Sequence, residues 1–276
     1  MKGFSIRTVC NGARQVRHRL ELQGTRTRLR KHPHPAAPRL ADVLDDWRAG
    51  RPLDDDLLPR IERRRNAWLN EPDDSPANQA FDDKRTIADA CRASKKPIMA
   101  ELLYRLAREF QPGTGIEFGT NVGISSSYIA AALRDGGGRL VTLEGSPGRL
   151  ALARALHAEL ALQNIDYQLG RFRKTLPKVL AEIPSIELAF IDGHHHRDPT
   201  LEYFDAIYPH LADGALVVFD DIRWSAGMCE AWKVLKTDRR FSFLVDIVSI
   251  GIGVVTRSSA ADAPDVFRWP STIRKT

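Results

Sequence analysis

Cysteine is scarce in this chain: Cys10, Cys91 and Cys229 are widely spaced and odd in number. That spacing offers neither a paired metal-ligand motif nor a disulfide framework, and points to a reducing compartment, the cytoplasm. Long apolar runs are also missing. No uninterrupted stretch reaches membrane-spanning length. The longest candidate, Phe241 to Val255, contains Asp246 and two glycines and reads as two strands. The N-terminus lacks the continuous apolar region of a signal peptide, and no internal repeat is visible. Acid is nearly absent from residues 1–39, which hold ten basic side chains against Glu21 alone. That net +9 leaves −3 on residues 40–276 out of the chain's +6, so the high pI says little about a substrate. A basic arm can touch anionic lipid, nucleic acid or an acidic partner. A solvated, disordered extension is the plainer expectation. A transit sequence fits less well, because the arm is poor in serine.

What is present suits one large α/β domain with an appendage, in 276 residues of which 43% are hydrophobic. The expected division is a basic arm over 1–39, a helical extension over 40–83, and a main domain over 84–276. His32-Pro-His-Pro-Ala-Ala-Pro38 breaks the chain after the arm. Two short helices, Ala41–Arg48 and about Asp55–Leu69, precede a second linker at Glu71–Pro76. Ile98, Leu102, Leu103 and Leu106 follow helical spacing over Pro97–Phe110. Strands are expected near 115–118, 140–143, 165–169, 186–191 and 214–219. Helices are expected near 124–134, 147–162, 174–182 and 199–211. This alternation is that of a doubly wound, mostly parallel sheet covered on both faces. A further helix over Met228–Leu235 and a pair of strands, Phe241–Ile247 and Gly251–Thr256, close the domain.

The segment Gly115-Ile-Glu-Phe-Gly-Thr-Asn-Val-Gly-Ile-Ser-Ser-Ser-Tyr128 reads as strand, glycine loop and helix start. Such a crevice holds a nucleotide-like ligand at the carboxyl edge of an open sheet. A nicotinamide fingerprint would read G-x-G-x-x-G; here the order is Glu117-x-Gly119-x-x-x-Gly123. This pattern resembles the first motif of class I S-adenosylmethionine-dependent methyltransferases. The next strand, Leu140-Val-Thr-Leu-Glu144, supports it by ending in a carboxylate that can accept bonds from both ribose hydroxyls. The resemblance implies a seven-stranded Rossmann-like methyltransferase sheet, its final hairpin inserting one antiparallel strand beside strand five. It implies S-adenosylmethionine as cofactor, held by Glu117, Gly119, Thr120, Asn121, Gly123, Ser125 and Glu144.

A second constellation sits at the ends of strands four and five, in Phe190-Ile-Asp-Gly-His-His-His196 and Val218-Phe-Asp-Asp-Ile-Arg-Trp224. Adjacent parallel strands lie about 4.8 Å apart, so their carboxyl-end residues converge. Asp192, Asp220 and Asp221 crowded there would repel unless protonated or sharing a cation. Oxygen ligands suit Mg²⁺ or another divalent ion. The plainer alternative leaves the aspartates as helix caps or solvated loop acids. This part resembles the metal-dependent small-molecule O-methyltransferases, in which such residues hold the metal and, in some relatives, a His three residues past the first ligand acts as base. On that resemblance Asp192 and His195 are the catalytic pair, with His194 in reserve. A small hydroxylated molecule is then the methyl acceptor. The resemblance covers about residues 84–256. It lacks the usual acid after strand three, where Leu169-Gly-Arg-Phe-Arg173 stands, so the adenine contacts are unassigned. Phe172 could pack on adenine or in the core. Arg223 stands where relatives carry His, which removes a base and suggests anion binding. Trp224 is a candidate wall for the acceptor. Two other classes stay open: a nucleic-acid methyltransferase using the basic arm, and a non-catalytic donor-binding protein.

Overall fold

The computed structural model describes residues 20–81, 85–258 and 262–270. Of the basic segment, residues 1–19 fall outside that set. The remainder is folded: residues 20–31 form helix α1, and a bend leads into α2 (Ala36–Ala49). Leu22, Leu29, Ala36 and Ala37 are buried in the core. Several of its cations are engaged within the protein. Arg26 pairs with Asp45 at 2.7 Å, Arg30 with Asp42 and Asp45, and Arg39 with Glu109. Arg28 lies over the Phe267 ring.

Next come α3 (Leu57–Leu69), α4 (Pro76–Ala80), α5 (Ile87–Arg92) and α6 (Pro97–Phe110). Ser75 and Thr86 cap α4 and α5 by accepting from backbone N–H groups. These helices cover one face of the sheet. Polar anchors fix them to one another and to the domain behind. The Trp47 indole donates to Ile98 O (2.7 Å), the Tyr104 hydroxyl to Asp55 (2.8 Å), and Tyr128 to Glu62 (2.8 Å).

The αβ alternation then runs as the hydrophobic pattern requires. Its elements are β1 (Thr114–Phe118), α7 (Ile124–Arg134), β2 (Arg139–Glu144), α8 (Pro147–Glu159), β3 (Ile165–Leu169), α9 (Phe172–Glu182), β4 (Ile186–Ile191), α10 (Arg197–Ile207) and β5 (Leu211–Phe219). After α11 (Ala226–Leu235) come β6 (Phe241–Ile247), β7 (Ile250–Val255) and β8 (Asp265–Arg268). The sheet order is β3-β2-β1-β4-β5-β7-β6-β8. The first five strands pair in parallel, and β7 inserts antiparallel between β5 and β6. The sheet has eight strands instead of the expected seven. β8 adds in parallel to the outer edge of β6, and its four residues are too few to show a strand period in the sequence. Every residue of α7 from Ile124 to Leu133 is buried, because α6 and α3 close over the helix from outside. Its serines and alanines permit that close packing. No helix among the described residues is long and apolar enough to cross a membrane.

Strand order reverses at β1: β2 and β3 extend to one side, β4 and β5 to the other. The crevice of such a sheet opens at this switch, above the carboxyl ends of β1 and β4.

Candidate active site

Two groups of residues meet at the switch. The first is the loop between β1 and α7. Gly119 and Gly123 take φ of +99° and +86°, and Asn121 takes +49°. The Gly119 and Thr120 amides donate to Leu143 O at 2.9 and 3.1 Å, which ties the loop to the end of β2. Glu144 completes the tie. Its Oε2 accepts from the Asn121 N–H and its Oε1 from the Ser146 N–H, both at 2.8 Å. Gly123 begins α7 and no side chain caps that helix, so its first-turn amides suit an anionic group. Leu169, half exposed, lies opposite Glu144 in the β2–β3 register. It is a candidate cover for a ring resting on that edge.

Other expected loop contacts lie beneath the crevice. Glu117 is fully buried. Its oxygens accept from the Ser125 and Thr142 hydroxyls, each at 2.6 Å, and the Thr120 hydroxyl is within 2.6 Å of that of Thr142. Here the carboxyl of Glu117 and the hydroxyls of Thr120 and Ser125 brace the loop from inside. Burial pushes Glu117 up to about 7, the Ser125 and Thr142 bonds oppose that rise, and Asp192 and Glu144 add to it. A carboxyl that titrates higher folded than unfolded favours the folded state while protonated. Its contribution is therefore lost as pH rises from about 4.5 to about 7, amounting to roughly 3 kcal/mol. Melting temperature measured across that window should fall more steeply for the wild type than for Glu117→Gln. Equal slopes would show that Glu117 titrates normally.

His157 is a brace that carried no motif. Its Nε2 lies 3.1 Å from Gly123 O and 3.1 Å from Ser126 Oγ, and its Nδ1 lies 2.9 Å from the Tyr167 hydroxyl. A carbonyl only accepts, so Nε2 carries the proton and Nδ1 accepts from Tyr167. Burial lowers this imidazole to about 4, which keeps it neutral under the loop.

The second group is the acidic ends of β4 and β5. Ile191 and Phe219 are register partners, which sets Asp192 beside Asp220. One ligand atom each from Asp192, His195 and Asp220 lie within 4.8 Å of one another. His195 Nε2 is 3.5 Å from Asp192 Oδ1, and its Nδ1 is 3.9 Å from Asp221 Oδ2. Asp221 therefore stands at the edge of the cluster, on the far side of the imidazole. Burial raises the Asp192 carboxyl, with Lys95 and His195 working against the rise. Lys95, which no sequence pattern singled out, reaches in from the α5–α6 turn. Its ammonium contacts Asp220 and lies 3.6 Å from Asp192.

The histidine run is sorted by its surroundings. His194 and His195 both have left-handed backbones, φ +62° and +43°, a strained conformation that persists only where neighbours enforce it. His194 faces away from the carboxylates, its Nδ1 2.7 Å from the Tyr203 hydroxyl and its ring against Phe172. Phe172 packs edge-on to Phe118 and Tyr203, a core role. Arg223 is engaged within the protein. Its guanidinium grips both oxygens of Asp246 at 2.8 and 2.7 Å, and the Trp232 indole donates to the same carboxylate. Trp224 is 72% exposed, with its ring centroid 6.5 Å from that of His195.

The acid-x-Gly loop at the switch point, the acid ending β2 and the reversed strand beside β5 are the features by which this domain resembles class I methyltransferases. Residues 116–222 match the family described as "Methyltransferase domain". A catechol O-methyltransferase of Niastella koreensis is 30% identical over 131 residues, 47% of this chain and 58% of that protein. A transmembrane O-methyltransferase homolog of Rattus norvegicus is 30% identical over 136 residues, 46% and 50% of the two chains. The chain thus spans about half the length of the curated relatives it matches. In fold it is similar to an O-methyltransferase from Bacillus cereus solved with SAH, with a TM-score of 0.56 and 19% identity over 77% of this chain and 97% of that one. Over residues 116–222 the chain matches a methyltransferase domain, and in sequence and fold it is similar to class I, S-adenosylmethionine-dependent O-methyltransferases.

Proposed function

We propose that this protein transfers a methyl group from S-adenosylmethionine to a hydroxyl of a small molecule, assisted by a divalent cation, in the cytoplasm. One observation carries the reading: the donor loop and the acidic cluster touch. A Cβ added to Gly119 would lie 2.4 Å from the backbone oxygen of Asp192. Anything seated on the loop is therefore a neighbour of the carboxylates, as methyl transfer between two bound reactants requires.

In this reading Glu144 takes the ribose hydroxyls, and the N-terminal amides of α7 take the donor's carboxylate. Bound there, S-adenosylmethionine supplies an activated methyl group. Asp192 and Asp220, with Asp221 alongside, have the hard oxygen donors and the unbalanced negative charge that suit a divalent ion. Mg²⁺ held by them would orient an acceptor hydroxyl and lower its pKa. His195 Nε2 takes the hydroxyl proton, and Asp221, beside Nδ1, stabilises the imidazolium that results. Trp224 walls the acceptor on the solvent side. The free thiols of Cys91 and Cys229 favour a reducing compartment.

Methyl transfer from labelled donor to a panel of hydroxylated molecules tests the assignment. Catechol is the first acceptor to try, since one similar protein is named for it. A chelator or Asp220→Asn should remove nearly all turnover, and His195→Gln should lower kcat by about 10²–10⁴-fold. Turnover that withstands both chelator and Asp220→Asn would rule out metal assistance.

A further inference from the structure

Lys95 is the one cation in direct contact with the Asp192–Asp220 pair among the described residues. Its side chain is 11% exposed and that of Asp220 is 2% exposed. The ammonium touches Asp220 Oδ2 and lies 3.6 Å from Asp192 Oδ2. It spans the two carboxylates that a divalent ion at this site would share. With three aspartates ionised and Lys95 charged, the cluster keeps a net charge of −2, enough to attract a dication. That ion meets carboxylates already neutralised in part by an ammonium.

We propose that Lys95 is the resident counter-cation of Asp192 and Asp220 and competes with the divalent ion for them, so that it sets the affinity of the site for metal. The inference rests on the metal-assisted reading above. Lys95 acts through the two aspartates and is a positioning residue. Its flexible four-carbon stem carries a compact charge that can withdraw by side-chain rotation. The backbone beside it is clipped down, because Asn121 Nδ2 donates to Ala90 O at 2.8 Å and to Ser94 Oγ at 3.2 Å. Exchange of ammonium for ion therefore needs no movement of the α5–α6 turn.

Binding of Mn²⁺ to the full chain, read from the electron paramagnetic resonance signal of the free ion, tests this without any acceptor. Lys95→Met should bind Mn²⁺ at least about tenfold more tightly than the wild type, since a unit positive charge has left the ligands. Lys95→Arg should stay near the wild type, and circular dichroism should show all three folded. Binding by Lys95→Met alone would be the strongest form of support. If both bind equally, or Lys95→Met binds more weakly, Lys95 does not compete and the inference fails while the metal reading stands. If neither folded protein binds Mn²⁺, the metal reading fails and takes this inference with it. A second measurement avoids the variants: Mn²⁺ should make the Lys95 amine of the wild type more reactive toward reductive methylation, mapped by mass spectrometry. Unchanged reactivity in Mn²⁺-saturated protein would overturn the competition.

Discussion

Gly119→Ala should cost the protein S-adenosylhomocysteine binding by about 100-fold or more, together with a fall in melting temperature. Two effects combine at this residue. Its φ of +99° lies where a side chain is strained, at roughly 1–2 kcal/mol. In addition, the new Cβ would sit 2.4 Å from Asp192 O and 3.4 Å from Asp192 C. Backbone atoms cannot rotate out of the way, so either the loop lifts or the end of β4 moves. Lifting the loop breaks the Gly119 and Thr120 bonds to Leu143 O. Moving β4 displaces Asp192 from Asp220. Gly137→Ala is the control, because Gly137 also has positive φ (+70°) but nothing within 4 Å of its added Cβ. That variant should lose a little stability and keep its affinity. Calorimetry and thermal melts on both proteins separate strain from collision, and wild-type affinity in Gly119→Ala would show that the loop tolerates displacement.

The parts of this arrangement that were legible in the sequence are those with local patterns. Strand–helix alternation, the Glu117-x-Gly119 loop, Glu144 at a strand end, and the acids closing β4 and β5 each follow from a few consecutive residues. What was not legible depends on contacts between distant segments. Lys95 follows a helix in a Lys-Lys-Pro turn, with no motif to mark it, and it finds Asp220 only once α5 and α6 are laid over the sheet. His157 is one polar residue on α8, and its role exists only because Gly123 O and Tyr167 approach it. Asp221 differs from its neighbour in a way that adjacency to Asp220 does not reveal: its left-handed backbone, φ +49°, leaves it beside His195 Nδ1 and outside the trio of converging ligand atoms. The same limit applies to residues 20–39. Their charge resembled that of a solvated arm, whereas Asp42, Asp45 and Glu109 pair with much of it.

Glu144→Ala and Glu144→Gln should impair donor binding to a similar extent, although the second keeps the shape of the side chain. Each oxygen of Glu144 already accepts a backbone N–H, from Asn121 and from Ser146. A carboxylate offers about four acceptor sites, so two are left for the ribose hydroxyls. Charge-assisted bonds of this kind contribute about 1.5–3 kcal/mol each. Losing two predicts an affinity drop of roughly 10²–10⁴-fold. Glutamine must turn its NH₂ toward one of the two N–H donors, setting donor against donor and releasing either Asn121 or the start of α8. Calorimetry with S-adenosylhomocysteine gives the overall loss. Comparing 5′-methylthioadenosine with its 2′-deoxy analogue locates the loss at the ribose: the wild type should prefer the hydroxylated ligand, and both variants should lose that preference. If the variants bind weakly yet still discriminate, Glu144 only braces the loop and another group reads the ribose.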